Sequence, residues 1–201
     1  MEILLIRHGQ SEADLINVHE GRADYPLTEL GKEQAKRLAC RLNEHCPPDI
    51  IWTSTLKRAS ETATILADEV GCMLMNEPNL MEYNNGVLAG TPKETVASKY
   101  SNPAEGRKPH ERVQNGESEL EFRMRAEIVF SKILAESYCV ARIAIVSHGG
   151  MISNLLKAFL QLPVTANVSF YTGDTGMHLL RKNGEKHVLV SMNNTEHLIK
   201  V

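Results

Sequence analysis

The sequence predicts an α/β fold, a three-layer α/β/α sandwich with a mostly parallel central sheet. Short apolar runs alternate along the chain with longer segments of helical periodicity, which is the order expected when helices cover both faces of a parallel sheet. The composition is that of a globular protein, with 42% hydrophobic and 23% charged residues. Because there is no repeat, low-complexity tract or linker, we expect residues 1–201 to form a single domain.

The elements follow from the apolar periodicity, taken in chain order. Short apolar runs predict strands at residues 2–6, 49–53, 72–75 and 142–147. Longer amphipathic runs predict helices at residues 28–46, 56–70, 118–137 and 149–160, with a further helix after residue 92. The first of these helices has an apolar stripe made by Leu30, Ala35, Leu38, Ala39 and Leu42. Two antiparallel strands, near residues 176–181 and 187–192, end the sheet.

Residues 84–117 form a segment that is too long for a simple connection. Apart from one short helix it has little periodicity, and we expect it to form a small cap or lid over the site. Its basic side chains include Arg107, Lys108, His110 and Arg112. Either they recognise a second anionic group of the ligand, such as a carboxylate or another phosphate, or they form a solvated basic loop.

Charge and hydropathy argue against several classes of partner. The formal net charge is −3 and the pI is about 6.2, so we expect binding neither to nucleic acid nor to an anionic membrane. The first apolar run is too short for a signal peptide, and polar residues interrupt the run at 143–160, so no membrane span is expected. The four cysteines lack Cys-x-x-Cys spacing and are expected to be reduced, mostly buried thiols of a cytoplasmic protein.

Chemically reactive side chains follow three of the predicted strands. Arg7 and His8 end the first strand, Arg58 comes shortly after the second, and His148 follows the fourth. Ligands of an open α/β sheet bind beyond the carboxyl ends of its strands, so we expect these four side chains to meet at one edge. Gly149 adds the backbone N–H groups of a helix start. The set predicts an anion site, and a tetrahedral phosphate suits it.

The same set of side chains predicts phosphoryl transfer. Neutral imidazole is a good nucleophile near pH 7, so one histidine can attack phosphorus while the other donates to the equatorial oxygens. The arginines supply positive charge, and we expect neither a metal ion nor another cofactor. Glu82, in the loop after the third strand, is the candidate proton donor. Taken singly, each residue has a simpler explanation, such as pairing of Arg58 with Glu61 or burial of His148 in the core.

Further motifs accompany these residues along the chain. The segments are Leu5–Glu12, Gly21–Thr28, Ser54–Ala59, Leu80–Gly90, Gly116–Ser118 with Arg125, and Val146–Gly150. In this order they resemble the histidine phosphatase superfamily, which includes the cofactor-dependent phosphoglycerate mutases. An Arg-His-Gly triplet alone is a weak signal, whereas the ordered set is specific.

The resemblance implies a role for each matching side chain. His8 would be the nucleophile that becomes phosphorylated. Glu82 would be the proton donor to the leaving group and then the base for the attacking water. Arg7, Arg58 and His148 would form the pocket that holds the phosphate.

The resemblance also implies lesser contacts with the substrate. Ser11, Gly21 and the amide of Gly149 match positions of this kind. Asp14 stands where many members have an asparagine that contacts phosphate. A carboxylate there would repel a dianion unless it turns towards Arg7, is neutral, or meets a positive group of the substrate.

Three functions follow from the resemblance. The mutases have longer chains that close the pocket against water, and this chain is short with a phosphatase-like tail. We therefore expect a hydrolase of small phosphate monoesters that acts through a phosphohistidine. A phosphoglycerate mutase-type transferase is the alternative, and a phospho-ligand binding protein without turnover is the third. The identity of the ester stays open, and the tail strands could pair between chains in a homodimer.

Overall fold

A six-stranded mixed sheet forms the centre of the computed structural model, which describes residues 1–99 and 107–199. The strands are β1 (Glu2–Arg7), β2 (Ile50–Thr53), β3 (Met73–Asn76), β4 (Arg142–Ser147), β5 (Met177–Asn183) and β6 (Lys186–Asn194). Their order in the sheet is β3-β2-β4-β1-β5-β6. The three pairings among β1 to β4 are parallel, and β5 pairs antiparallel with β1 and β6. The predicted mostly parallel sheet is confirmed.

Helices cover both faces of this sheet. The described residues form α1 (Glu12–Ile16), α2 (Glu29–His45), α3 (Lys57–Val70), α4 (Lys93–Lys99), α5 (Glu119–Glu136) and α6 (Gly149–Phe159). One hydrophobic cluster joins the sheet to α5 and α6, and a second cluster joins the opposite face to α2 and α3. The predicted three layers are therefore present. Sequence periodicity did not predict α1, which is only five residues long.

The central strand β1 shows why its sequence is apolar throughout. Ile3 and Leu5 belong to the cluster beneath α5 and α6, while Leu4 and Ile6 belong to the cluster beneath α2 and α3. All four side chains are fully buried. Alternate residues of a strand point to opposite faces, so a strand covered on both faces needs apolar residues at every position.

Local capping signals set the helix ends close to where the sequence predicts them. The Thr28 side chain accepts a hydrogen bond from the Gly31 N–H at the start of α2. Ser118 and Glu121 form a capping box at the start of α5. Gly71 ends α3 with a φ of 74°, a left-handed conformation that glycine adopts without steric cost.

The first turn of α2 differs from the predicted apolar stripe. Leu30 is 53% exposed, so its assignment to the buried face is wrong. Gly31 occupies that face instead, and a Cβ atom built on it would lie 2.1 Å from the carbonyl oxygen of Gln10. A Cβ on Gly9 would in turn lie 2.5 Å from the carbonyl oxygen of Gly31. The backbone of α2 therefore packs directly against the loop that follows β1.

The prediction that the cysteines are mostly buried is wrong. All four are free thiols, but Cys40 and Cys139 are exposed, and Cys46 and Cys72 are half-buried. Cysteine is among the residue types most often buried, which is why the sequence favours the core. None of the four contributes to the centre of either hydrophobic cluster.

The predicted cap is described for residues 84–99 and 107–117, and its remaining part lies outside the described residues. A 3-10 turn at Gly86–Leu88 and helix α4 belong to it. Pro92 forms a β-bridge with Val18, and the Gly90 N–H donates to the carbonyl of His19. This part of the segment is thereby fixed to the chain that follows α1. Its action as a lid stays a prediction.

The two edges of the sheet are β3 and β6. The tail strand β6 therefore lies where the sequence places it, with one side free for pairing. Pairing between two chains stays a prediction. No helix within residues 1–99 and 107–199 is long and apolar enough to cross a membrane.

Candidate active site

Two histidines and one arginine meet beyond the carboxyl ends of β1, β2 and β4. The ring centroids of His8 and His148 are 5.1 Å apart, and Arg58 Nε lies 3.2 Å from His8 Nε2. The three side chains are almost wholly buried, with at most 1% exposure. The predicted convergence of these strand ends is confirmed.

Hydrogen bonding defines the tautomer of His8. Its Nδ1 lies 2.8 Å from the carbonyl oxygen of Gly9, which can only accept, so Nδ1 carries the hydrogen. Its Nε2 therefore holds the lone pair, towards which Arg58 Nε–H donates. Burial, followed by the charges of Arg58 and Arg7, holds the pKa of His8 well below its usual value. His8 is thus a neutral imidazole with Nε2 available as a nucleophile.

The guanidinium of Arg58 is fixed by backbone carbonyls. Its two terminal nitrogens donate to the carbonyl oxygens of Ala23 and Gly21, each at 2.9 Å. The Glu20 carboxylate lies 3.7 Å from its Nε. The alternative pairing with Glu61 is wrong, since that carboxylate accepts from a backbone N–H of another segment at 3.0 Å. Arg58 is therefore a rigid buried cation beside His8.

Arg7 lies on the other side of His8. Its Nη1 donates to the carbonyl of Thr172 at 3.0 Å and lies 3.4 Å from the Asp174 carboxylate. Its Nε is buried, and among the described residues no partner reaches it. A buried donor without a partner costs about 1–3 kcal/mol. A bound anion would remove that cost.

Ser54 defines the tautomer of His148 in a similar way. Its Oγ lies 2.8 Å from His148 Nε2 and also accepts from the Leu56 N–H at 3.3 Å. Among the described residues the hydroxyl contacts no other acceptor, so its hydrogen is directed to Nε2 and the ring hydrogen is on Nδ1. That Nδ1 is buried and has no partner within the described part of the chain. Burial, with the nearby charge of Arg58, holds the pKa of His148 well below its usual value.

Sequence reasoning did not single out Ser54 as a functional residue. It lies at the carboxyl end of β2, four residues before Arg58, and it is fully buried. A hydroxyl residue directly after a strand that leads to a site was the signal available in the sequence.

Glu82 belongs to the loop after β3 and lies beside the start of α6. It is on the wall of the same cavity. Its Oε2 accepts from the Gly150 N–H at 2.9 Å, and its Oε1 accepts from its neighbour Tyr83 at 2.7 Å. A Cβ on Gly150 would lie 2.5 Å from Glu82 Oε1, so a larger residue at this position would displace the Glu82 carboxylate. A Cβ on Gly149 would meet nothing within 4 Å. Gly149 faces the open cavity instead.

The loop that carries Glu82 is held from α5. Arg125 donates to three of its carbonyls, those of Asn79, Met81 and Glu82, at 2.6–3.1 Å. It also pairs with the Glu117 carboxylate at 2.6 Å. Arg125 is therefore placed to position the carboxylate that faces His8.

The other predicted substrate contacts have partners within the protein. Asp14 accepts from the backbone N–H and the hydroxyl of Ser11 at 2.8 and 3.1 Å, so it has not turned towards Arg7. The Ser11 hydroxyl also contacts Glu20. Gly21 offers its carbonyl to Arg58. None of Ser11, Asp14 and Gly21 lines the cavity as described, and their contact with a substrate stays a prediction.

The cavity has a volume of about 1000 Å³. Arg7, His8, Glu20 and Glu82 line its reacting end. Its wall continues along α6, residues 107–109 with Glu111, and residues 164–172. The sequence did not predict a covering role for residues 164–172. Of the basic cap residues, Arg107 and Lys108 lie on the wall, whereas Arg112 pairs with Glu121 and His110 is exposed away from it.

Within residues 1–99 and 107–199, no group of three or more His, Cys, Asp or Glu side chains is arranged to hold a metal ion. The charges beside His8 come from arginines.

A loop at residues 172–176 supports Arg7 and His8 from behind. Thr175 N–H donates to the carbonyl of His8, and Arg7 N–H donates to the carbonyl of Gly176. Two histidines anchor this loop: His178 Nε2 lies 2.9 Å from Thr172 Oγ1, and His197 Nε2 lies 2.8 Å from Thr175 Oγ1. The tail of the chain is thereby coupled to the reacting end.

We expect the protein to lose stability as the pH falls from about 6.5 to about 4. Burial lowers the pKa of His178 and of His197 from 6.5 to about 4, so in this range the unfolded chain binds more protons than the folded one. Their contribution is fully present above 6.5 and is lost as the pH falls through 4. Urea unfolding at several pH values measures the decline. His178→Gln is expected to flatten it, and His45→Gln, at an exposed position, is the matched control. An unchanged slope in His178→Gln would contradict this role.

Comparison with known proteins agrees with this fold. A model of the histidine phosphatase superfamily (branch 1) matches residues 3–195. The probable phosphoglycerate mutase GpmB of Photorhabdus laumondii is 36% identical over 174 residues, which cover 83% of this chain and 78% of that one.

Solved structures agree in the same way. The alpha-ribazole phosphatase of Shigella flexneri has a TM-score of 0.87 and 25% identity, and the match covers 97% of each chain. A phosphoserine phosphatase of Entamoeba histolytica, in complex with phosphoserine, has a TM-score of 0.81 and 25% identity over 98% of this chain and 99% of that one. The chain belongs to the histidine phosphatase superfamily.

Proposed function

We propose that the protein is a metal-independent phosphomonoester hydrolase that works through a phosphohistidine on His8. The observation that carries this proposal is the pair of unpartnered donors around the nucleophile, Arg7 Nε and His148 Nδ1. Arg58 Nε–H donates towards the lone pair on His8 Nε2, the two histidine rings lie 5.1 Å apart, and Arg7 lines the same cavity as His8. A tetrahedral phosphate would satisfy both donors, and its phosphorus would stand before Nε2.

In the first step His8 Nε2 forms a bond to phosphorus, and the bond from phosphorus to the ester oxygen breaks. The hydrogen bond that Arg58 Nε–H donates changes its acceptor from His8 Nε2 to an equatorial phosphate oxygen. Arg7 and His148 donate to the other oxygens, where negative charge is redistributed. Glu82, held by the helix start, gives a proton to the departing oxygen.

In the second step water attacks the phosphohistidine. Glu82, now ionised, accepts a proton from that water, and the bond from phosphorus to His8 breaks. Inorganic phosphate leaves, and both side chains return to their starting forms. The wide cavity beside Glu82 gives water access to the intermediate.

A mutase-type transfer is the alternative, because relatives at 32–36% identity are named probable phosphoglycerate mutases. It would use the same first step and return the phosphoryl group to a second hydroxyl. Two phosphatases among the structural neighbours, and a cavity open to water, favour hydrolysis.

The proposal is tested by measuring phosphate release in the presence of EDTA. The substrates are p-nitrophenyl phosphate and a panel of natural phosphate monoesters. We expect release without added metal and a transient, acid-labile phosphoenzyme. Interconversion of phosphoglycerates that requires a bisphosphate primer, without net release, would replace hydrolysis by the mutase reaction. If no compound is either hydrolysed or interconverted, the protein is a phospho-ligand binding protein without turnover.

Replacing Ser54 with alanine is expected to lower kcat by about 10-fold, because His148 loses the group that keeps its hydrogen on Nδ1. The pH profile of kcat should change as well, since the Ser54 hydroxyl donates to the nitrogen that would take up the second proton of His148. Ser54→Thr, which keeps the hydroxyl, should restore most of the rate. Loss of stability with an unchanged pH profile would make Ser54 purely structural.

A further inference from the structure

One face of α6 runs along the cavity from the reacting end. Gly149, Gly150, Ser153, Asn154 and Lys157 all line it, and their spacing is that of a single helical face. Gly150 holds Glu82. Lys157 lies about 10 Å further along the helix axis. The distance between these two points is much longer than a phosphate group.

Unpaired positive charge also lies on this cavity wall. Arg107 and Lys108 line the cavity together with Lys157. Among the described residues none of these three side chains forms an ion pair, although most other arginines of the chain do. The wall also holds two carboxylates: Glu111 accepts from the backbone of Lys108, and Glu119 lies in the first turn of α5. The cations therefore remain available to a ligand.

Apolar side chains make up much of the remaining wall. They are Tyr83, Phe122, Val164, Val168, Phe170 and Tyr171. Tyr171 is 76% exposed and Val168 is 46% exposed. Aromatic and aliphatic groups that stay exposed on a cavity wall are typical of a ligand site.

We propose that the leaving group of the natural substrate is elongated, with a largely apolar body and a terminal anionic group that Lys157 binds. The inference rests on the proposed hydrolase, which fixes the phosphate at His8. The substrate class is therefore a phosphate monoester of a long, amphiphilic alcohol that has a carboxylate or second phosphate at its far end.

Binding measurements on the His8→Ala variant test this subsite without turnover. The probes are 4′-carboxybiphenyl-4-yl phosphate and its 4′-carboxamide analogue, which differ only in the charge of the terminal group. We expect the carboxylate to bind about fivefold more tightly, a preference that falls with rising salt. Lys157→Gln in the same background should remove the preference. Lys36→Gln, at an exposed position of α2 away from the cavity, should keep it.

Two results would overturn the subsite: equal affinity for the two probes, or a preference that survives Lys157→Gln. The protein with His8 intact is also tested for hydrolysis of both probes. If it hydrolyses them and either of these two results is found, the subsite is refuted and the hydrolase is supported. A preference that depends on Lys157, without hydrolysis of either probe, would support the subsite and refute the hydrolase. The two failures are thus distinguishable.

Discussion

Replacing His8 with alanine is expected to reduce the turnover of phosphate monoesters by about 10⁴-fold or more. Its Nε2 holds the lone pair towards which Arg58 donates. Without it there is no group to form the covalent intermediate. Phosphate binding should persist, because Arg7, Arg58 and His148 remain.

The loss of turnover is measured in stopped assays with p-nitrophenyl phosphate. Phosphoenzyme is detected after acid and base quenching. His110→Ala is the matched control, since His110 is exposed and lies off the cavity wall. Retention of more than about 1% of the rate in His8→Ala, or phosphoenzyme of the same stability, would mean that another side chain is the nucleophile.

Replacing Arg58 with alanine is expected to lower kcat by about 10²- to 10³-fold. In the free protein Arg58 Nε–H donates to His8 Nε2. It can move to a phosphate oxygen only as Nε2 bonds to phosphorus, so the hydrogen bond from Arg58 to phosphate strengthens in the transition state. The variant should therefore weaken binding of orthovanadate, a mimic of five-coordinate phosphorus, more than binding of phosphate. Equal losses for the two anions would contradict a transition-state role.

The same substitution should also reduce stability. The carbonyls of Gly21 and Ala23 lose their donors, and a fully buried side chain is removed. We expect a loss of about 3–5 kcal/mol in the free energy of unfolding, measured with urea. Arg58→Lys keeps the charge but loses the fork, so it should recover part of the stability and little of kcat. Arg37→Ala, at an exposed ion pair of α2, is the neutral comparison.

The layers and the reacting end were predictable because they depend on short-range signals. A wholly apolar strand such as β1 must be buried on both faces, and the side chain that follows it must lie at the carboxyl edge. This logic places His8, Arg58 and His148 together without any knowledge of contacts. Helix ends such as Thr28 and Ser118 carry their own capping signals.

What the sequence could not predict depends on contacts between distant segments. Leu30 is not such a case, because 100° per residue places it about 130° around the helix from the centre of the stripe, and the buried position of that turn is Gly31. Ser54 is an ordinary hydroxyl until its 2.8 Å contact with His148, 94 positions along the chain, is known. Residues 164–172 have no periodicity, so their place on the cavity wall could not be expected.

The close contact between Gly9 and Gly31 has a consequence for how this protein can change. Neither position accepts a methyl group, so the loop after His8 and α2 form one rigid body. Substitutions at these two glycines are therefore not tolerated. The far wall of the cavity, in contrast, is built largely from connecting segments that accept substitution readily. Adaptation to a new ester can therefore proceed at one end of the cavity while the reaction itself stays constant at the other.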